Sequence, residues 1–157
     1  MDKKFIITNC LSDDLRKKLL VDCKPFLRKL SDKNPAYQSD APLRQFPQFN
    51  IIHEIFDSLA TKYLERNLIS DKSWFIMTQG KKDQVLMHYH PVDYVGVYYM
   101  NSFPYFKNGT LFEQDGFVEA PLNSMVLFPG HLVHTAPPFK ENFERYTMSL
   151  NWNFKTT

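Results

Sequence analysis

The sequence predicts an α+β fold, mainly β: a cupin-like jelly roll with N-terminal helices packed on one of its sheets. Three observations predict it. Two segments with helical spacing of apolar residues occupy the first part of the chain, and seven or eight short β-rich runs divided by turn residues fill the rest. Aromatic residues make up 15% of the chain while glycines number five, a composition suited to a packed core. At 157 residues the chain fits one domain, with 1–70 a helical support region and 71–157 the jelly-roll core.

Ser12 or Asp13 is placed to cap the first helix, in "SDDLRKKLLVDCKPFLRKL". There Leu15, Leu19, Leu20, Cys23, Phe26, Leu27 and Leu30 recur at helical spacing, and Pro25 predicts a kink or a break. A second helix is expected in "QFNIIHEIFDSLATKYLERNL", with Ile51, Ile52, Ile55, Phe56, Leu59, Tyr63 and Leu64 on one side. Residues 31–47, with three prolines, read as an irregular connection. The strands that follow are "SWFIMTQ", "QVLMHYH", "YVGVYYMN", "TLFEQ", "GFVEA", "SMVLFPG" and "RYTMSLNWNF". Turns fall at Lys81-Lys82-Asp83, Lys107-Asn108-Gly109, Asp115-Gly116 and Leu122-Asn123.

Charge excludes more than it assigns. Nineteen basic and seventeen acidic residues give a net charge of +2, and like charges gather only in short lysine pairs, so no nucleic-acid or membrane partner is expected. No run of eighteen apolar residues predicts a transmembrane helix, and the N-terminus turns charged too soon for a signal peptide. Cys10 and Cys23 lie outside any CxxC spacing, which with the missing signal predicts a reduced, cytoplasmic protein (the host cytoplasm, if the source is viral). Asn108-Gly109-Thr110 matches the glycosylation pattern and is read as a turn.

The chemistry-bearing residues gather in the β half. In "HYHP", His88 and His90 share one face if the run is a strand, because side chains alternate. Neutral imidazoles in such a pair suit iron, zinc, copper or nickel, although HxH alone also fits strand-end residues. Further on, "SMVLFPGHLVHTAPP" runs an apolar strand into a Pro-Gly turn and then His131 and His134, the last 46 residues after His88. His131 follows the turn and is expected to be exposed, whereas His134 opens the next extended segment. His53 lies in a helix and is read as a surface or interface residue without a metal role. In "RYTMSLNWNF", Tyr146, Met148, Leu150 and Trp152 take one face; Arg145, Thr147, Ser149 and Asn151 take the other. A polar face on a late strand fits water or a polar ligand, and the arginine fork fits a carboxylate.

Taken in order, "HYHP…GVYYMN…GTLF…VLFPGHLVHTAPP…RYTMSLNW" resembles the Fe(II)- and 2-oxoglutarate-dependent oxygenases. Within them it is similar to a small prolyl-4-hydroxylase-like group of bacteria and marine phages, over about residues 74–153. The resemblance implies a double-stranded β-helix that binds Fe(II), 2-oxoglutarate and O2. His88, His90 and His134 would be the catalytic metal ligands. His90 stands where the wider superfamily has a carboxylate, and Asp93 is the reserve ligand if its loop folds back. Arg145 would pair with the far carboxylate of 2-oxoglutarate, assisted by Tyr99 and by Ser149 or Thr147, while Asn151 and Trp74 match the pattern without an assigned role. The implied reaction hydroxylates a C–H bond, with release of succinate and CO2, on a peptidyl substrate, proline favoured; free amino acids and other small molecules stay open. Two alternatives stand beside it: a three-histidine cupin-type dioxygenase that needs no 2-oxoglutarate, and a non-catalytic jelly-roll module. The aromatic loop 101–109 fits either an entrance or a contact with a second subunit, so both monomer and homodimer remain open.

Overall fold

Ser12 starts the first helix by accepting the Leu15 N–H on its hydroxyl, with Asp13 and Asp14 in the first turn favouring the helix dipole. The computed structural model describes residues 3–29, 36–40, 42–80, 85–103, 107–139 and 143–156. Among them the order is β1 (Phe5–Ile7), α1 (Asp13–Cys23), β2 (Arg28–Lys29), β3 (Tyr37–Gln38), α2 (Asn50–Leu64), β4 (Leu68–Gln79) and β5 (Tyr94–Tyr99). Then come β6 (Gly109–Phe112), β7 (Gly116–Glu119), β8 (Met125–Pro129), β9 (His134–Thr135) and β10 (Glu144–Phe154).

Pro25 ends α1 as expected: the chain tightens into a 3-10 turn at Lys24–Phe26 and leaves as β2 rather than continuing to Leu30. Another 3-10 turn, Pro47–Phe49, leads into α2, which closes at Glu65 in the left-handed conformation. The 31–47 segment is not wholly irregular, since its described part contains β3 and a 3-10 turn at Leu43–Gln45. The expected Lys81–Asp83 turn lies outside the described residues.

Among the described residues the strand pairings are antiparallel and build two sheets, a seven-stranded one in the order β1-β8-β5-β10-β4-β3-β2 and a three-stranded one, β7-β6-β9. This is a double-stranded β-helix, α+β and mainly β. The first seventy residues do more than support it with helices, because β1, β2 and β3 extend both edges of the larger sheet.

Strand parity sorts the core into two layers. Phe75, Met77, Tyr98, Met148, Leu150 and Trp152 pack with Leu19 of α1 and Ile52, Phe56 and Ala60 of α2. Val95, Tyr99, Phe112, Val126 and Phe128 form a second cluster between the sheets. Asp57 ties the helical layer to β10, accepting the Trp152 indole N–H at 2.7 Å while Arg44 donates to both its oxygens at 2.9 and 2.7 Å.

His53 is not on the surface. It is 4% exposed, with Nδ1 2.9 Å from the Phe49 carbonyl and Nε2 2.7 Å from the Ser73 hydroxyl. The buried stripe of α2 runs through Ile52, His53, Phe56 and Ala60, while Ile51 is half exposed. Burial, helped by the Arg44 charge, pushes its pKa down to about 4. Above its ordinary value it is neutral folded and unfolded alike; below it only the unfolded chain takes up the proton, so stability falls with pH until the folded histidine also titrates. Urea unfolding should show His53→Gln losing about 2–3 kcal/mol less than wild type between about pH 7 and about pH 4.5. An unchanged slope would contradict this.

Candidate metal centre and its cavity

The segment before His88 is not a regular strand. It is an extended stretch held by one bridge, in which the His88 and His134 backbones exchange N–H···O bonds of 3.0 and 2.9 Å. That pairing sets the two histidines directly opposite each other at the margin of the smaller sheet. His90 follows two residues on, and its N–H donates to the Gly130 carbonyl at 2.9 Å, fastening it to the turn after β8.

The result is a cluster of His88, His90 and His134, in which one ring nitrogen from each lies within 4.8 Å of the others. His90 and His134 are buried and His88 is exposed, so the cluster opens to solvent on one side. The Nδ1 atoms are all engaged: His88 with the Leu86 carbonyl at 2.8 Å, His134 with the Leu132 carbonyl at 2.8 Å, and His90 with Asn151 Oδ1 at 2.9 Å. An acceptor at Nδ1 holds the proton there and leaves Nε2 bare for a cation. Nε2 of His90 is buried with no hydrogen-bond partner. Burial pushes His134 down to about 4 and lowers His90 as well, with His88 adding to both effects and His90 adding to that on His134. The His90 and His134 rings are thus held neutral by their burial, with their lone pairs free for a metal.

Three bare imidazole nitrogens beside open space fit Fe(II), and among the described residues they have no fourth protein ligand of the kind that closes a structural zinc site. Asp93 does not join them. Its carboxylate accepts the Phe154 N–H at 2.7 Å, and its own N–H donates to Asn153, which fixes it against the end of β10. His131 is exposed on the turn and outside the cluster.

The cluster borders a cavity of about 730 Å³ between the sheets. Its floor is the polar face of β10, Arg145, Thr147, Ser149 and Asn151, flanked by Trp74, Ile76 and Thr78 of β4 and by Val97 and Tyr99 of β5. Arg145 is 2% exposed; its Nε–H donates to Thr78 Oγ1 at 3.1 Å and Nη1 to the Pro137 carbonyl at 2.9 Å, while the guanidinium lies over the Phe139 ring. These contacts fix the fork in place, and a buried cation in a polar recess selects an anion. The Tyr99 hydroxyl lies 2.6 Å from Thr110 Oγ1, and burial pushes its pKa up to about 12, so it enters the site as a neutral donor. Tyr98 points the other way, into the helical layer, and its hydroxyl donates to Asn123 in the turn before β8.

Two residues carry weight that the sequence pattern did not assign. The first is Asn151, through its bond to His90. The second is Gly130, where a Cβ would fall 2.1 Å from the Val92 carbonyl oxygen and 2.8 Å from that of His90. Gly130→Ala should therefore push the 90–92 segment away, costing about 1–3 kcal/mol of stability and weakening metal binding. Thermal melts and metal titration check this, and an alanine variant equal to wild type in both would contradict the close packing.

No protein-family model matches the chain, and no curated protein does. Solved structures do. The non-heme alpha ketoglutarate dependent epimerase SnoN from nogalamycin biosynthesis superposes with a TM-score of 0.77 at 12% identity, over 99% of this chain and 80% of that one. The viral collagen prolyl hydroxylase vCPH from Paramecium Bursaria Chlorella virus-1, in its 2OG complex, gives 0.70 at 12% identity, over 95% of this chain and 94% of that one. A prolyl hydroxylase from Trichoplax adhaerens, in complex with a hypoxia inducible factor peptide fragment, gives 0.69 at 15% identity, over 96% and 83%. The chain and these enzymes share the double-stranded β-helix.

Proposed function

We propose that this protein is an Fe(II)- and 2-oxoglutarate-dependent oxygenase that hydroxylates a C–H bond of a peptidyl, prolyl-like substrate. The observation that carries the proposal is the convergence of three Nδ1-anchored histidines on one point beside a cavity floored by Arg145. His88, His90 and His134 would hold the iron on one side and leave the cavity side for cosubstrate and O2. When bound, iron, 2-oxoglutarate and O2 supply the oxidising chemistry, releasing succinate and CO2 and delivering one oxygen atom to the substrate.

The protein's own residues bind, orient and exclude water. Arg145, held by Thr78 and Pro137, would grip the far carboxylate of 2-oxoglutarate, with the hydroxyls of Thr147, Ser149 and Tyr99 around it. Val97, Ile76 and Trp74 keep the walls apolar, which strengthens the ionic contact in the recess. Three neutral imidazoles leave the full charge of the iron for anionic cosubstrate to offset, so His90 in place of a carboxylate favours tighter chelation rather than excluding it.

The peptidyl substrate is supported by prolyl hydroxylases among the structural neighbours, one of them solved with a peptide. It is supported also by Leu86 and Tyr89, which line the cavity yet are 78% and 62% exposed, as residues a substrate would cover are. The buried thiols Cys10 and Cys23 fit a reducing cytoplasm. Among the described residues no helix is long and apolar enough to cross a membrane.

Succinate formation tests the proposal. Purified protein with Fe(II), 2-oxoglutarate and O2 should release succinate slowly alone and faster with proline-containing peptides, with a mass gain of one oxygen on the peptide. Peptide oxidation that continues without 2-oxoglutarate would support the cupin-type alternative instead.

A further inference from the structure

We infer that Asn151 is a positioning residue that makes His90 a metal ligand by fixing its tautomer, an inference that rests on the metal-site reading above. The three histidines are not anchored alike. His88 and His134 each place Nδ1 on the carbonyl two residues upstream, at Leu86 and Leu132. For His90 the corresponding carbonyl is that of His88, and it already accepts the His134 N–H at 2.9 Å in the bridge that aligns the cluster. That carbonyl is turned into the bridge with His134, and Nδ1 of His90 lies against a side chain instead.

Asn151 supplies the replacement from another strand, 61 residues away in sequence, with Oδ1 2.9 Å from Nδ1. It is 6% exposed on the polar face of β10, so water does not readily substitute for it. Trp74 stacks on the same imidazole, with ring centroids 5.5 Å apart and planes 13° from parallel, and limits its rotation. With Nδ1–H donated to Asn151, Nε2 has no proton and faces the other two rings. An asparagine amide turned the other way would donate to Nδ1 and put the proton on Nε2, in the place of the metal. The orientation of one amide therefore decides whether the cluster has three donors or two.

The test combines a proton-position readout with a binding readout. Two-dimensional 15N–1H NMR of the metal-free wild type should show His90 protonated at Nδ1, and Co(II) titration should give a saturable visible spectrum of a histidine site. Asn151→Leu, similar in volume but without an acceptor, should bind Co(II) about 10- to 100-fold more weakly. Its His90 should become a tautomer mixture while the His88 and His134 signals stay unchanged. Asn151→Asp keeps an acceptor and should retain the wild-type tautomer and most of the affinity. A wild-type His90 protonated at Nε2, or an Asn151→Leu variant with wild-type affinity and tautomer, would overturn the inference. If Asn151→Leu does not fold, the wild-type spectrum and Asn151→Asp decide it. Wild type that binds no Co(II) or Fe(II) would instead overturn the oxygenase reading, while the NMR arm still reports on Asn151.

Discussion

His134→Ala is expected to abolish Fe(II) binding and turnover, while His131→Ala leaves both near wild type. The two lie three positions apart in "GHLVH", and the fold separates them completely. His134 is 3% exposed, paired through its backbone with His88 and packed against the Phe128 ring at 4.7 Å. His131 sits exposed on the turn after β8. Alanine at 134 keeps the backbone pairing and removes the imidazole, so the loss should appear in metal binding first and in folding only modestly. Two remaining histidines are a poor site for Fe(II), and the loss should exceed the 10- to 100-fold that removing a supporting contact to a ligand typically costs. Anaerobic calorimetric titration with Fe(II), with circular dichroism to check folding, measures this. Equal behaviour of the two variants would mean that the ligand set is wrong.

Arg145→Ala is expected to weaken 2-oxoglutarate binding strongly and to spare iron. Removing one partner of a buried, hydrogen-bonded ion pair costs about 2–5 kcal/mol, or about 30-fold and upward in affinity. Arg145 is suited to that role because Thr78 and Pro137 fix its fork at the end of the cavity floor. Arg145→Lys should recover only part of the affinity, since a point charge cannot bind a carboxylate bidentately. The check is 2-oxoglutarate affinity measured with the metal site filled, beside Fe(II) affinity measured alone. Matching losses in both would show that Arg145 supports the fold rather than the cosubstrate.

What could be read from the sequence follows from strand period. The alternation in "RYTMSLNWNF" separates Arg145, Thr147, Ser149 and Asn151 from the apolar Tyr146, Met148, Leu150 and Trp152, and β10 keeps that division: the first set lines the cavity and the second packs on the helices. The same parity directs Tyr99 inward and Tyr98 toward α2. Strands β1, β2, β3 and β9 are two or three residues long and carry no period to read. They form because longer neighbours offer edges, which is tertiary information.

The histidines divide in the same way. His53 carried a signal that was open to reading, since it lies one residue after Ile52 and three before Phe56 on the stripe α2 buries. The pairing of Asn151 with His90 carried none. It joins residues 61 apart in sequence, brought together by how β10 lies beside the 88–90 segment, and no spacing rule reports that apposition.

The most direct test of the central claim is an anaerobic optical titration. Fe(II) is added to the metal-free protein, then 2-oxoglutarate, and the visible spectrum is followed. A charge-transfer band should appear only when both are present, saturate with 2-oxoglutarate, and be lost in His134→Ala. Iron demonstrably bound with no such band would contradict it.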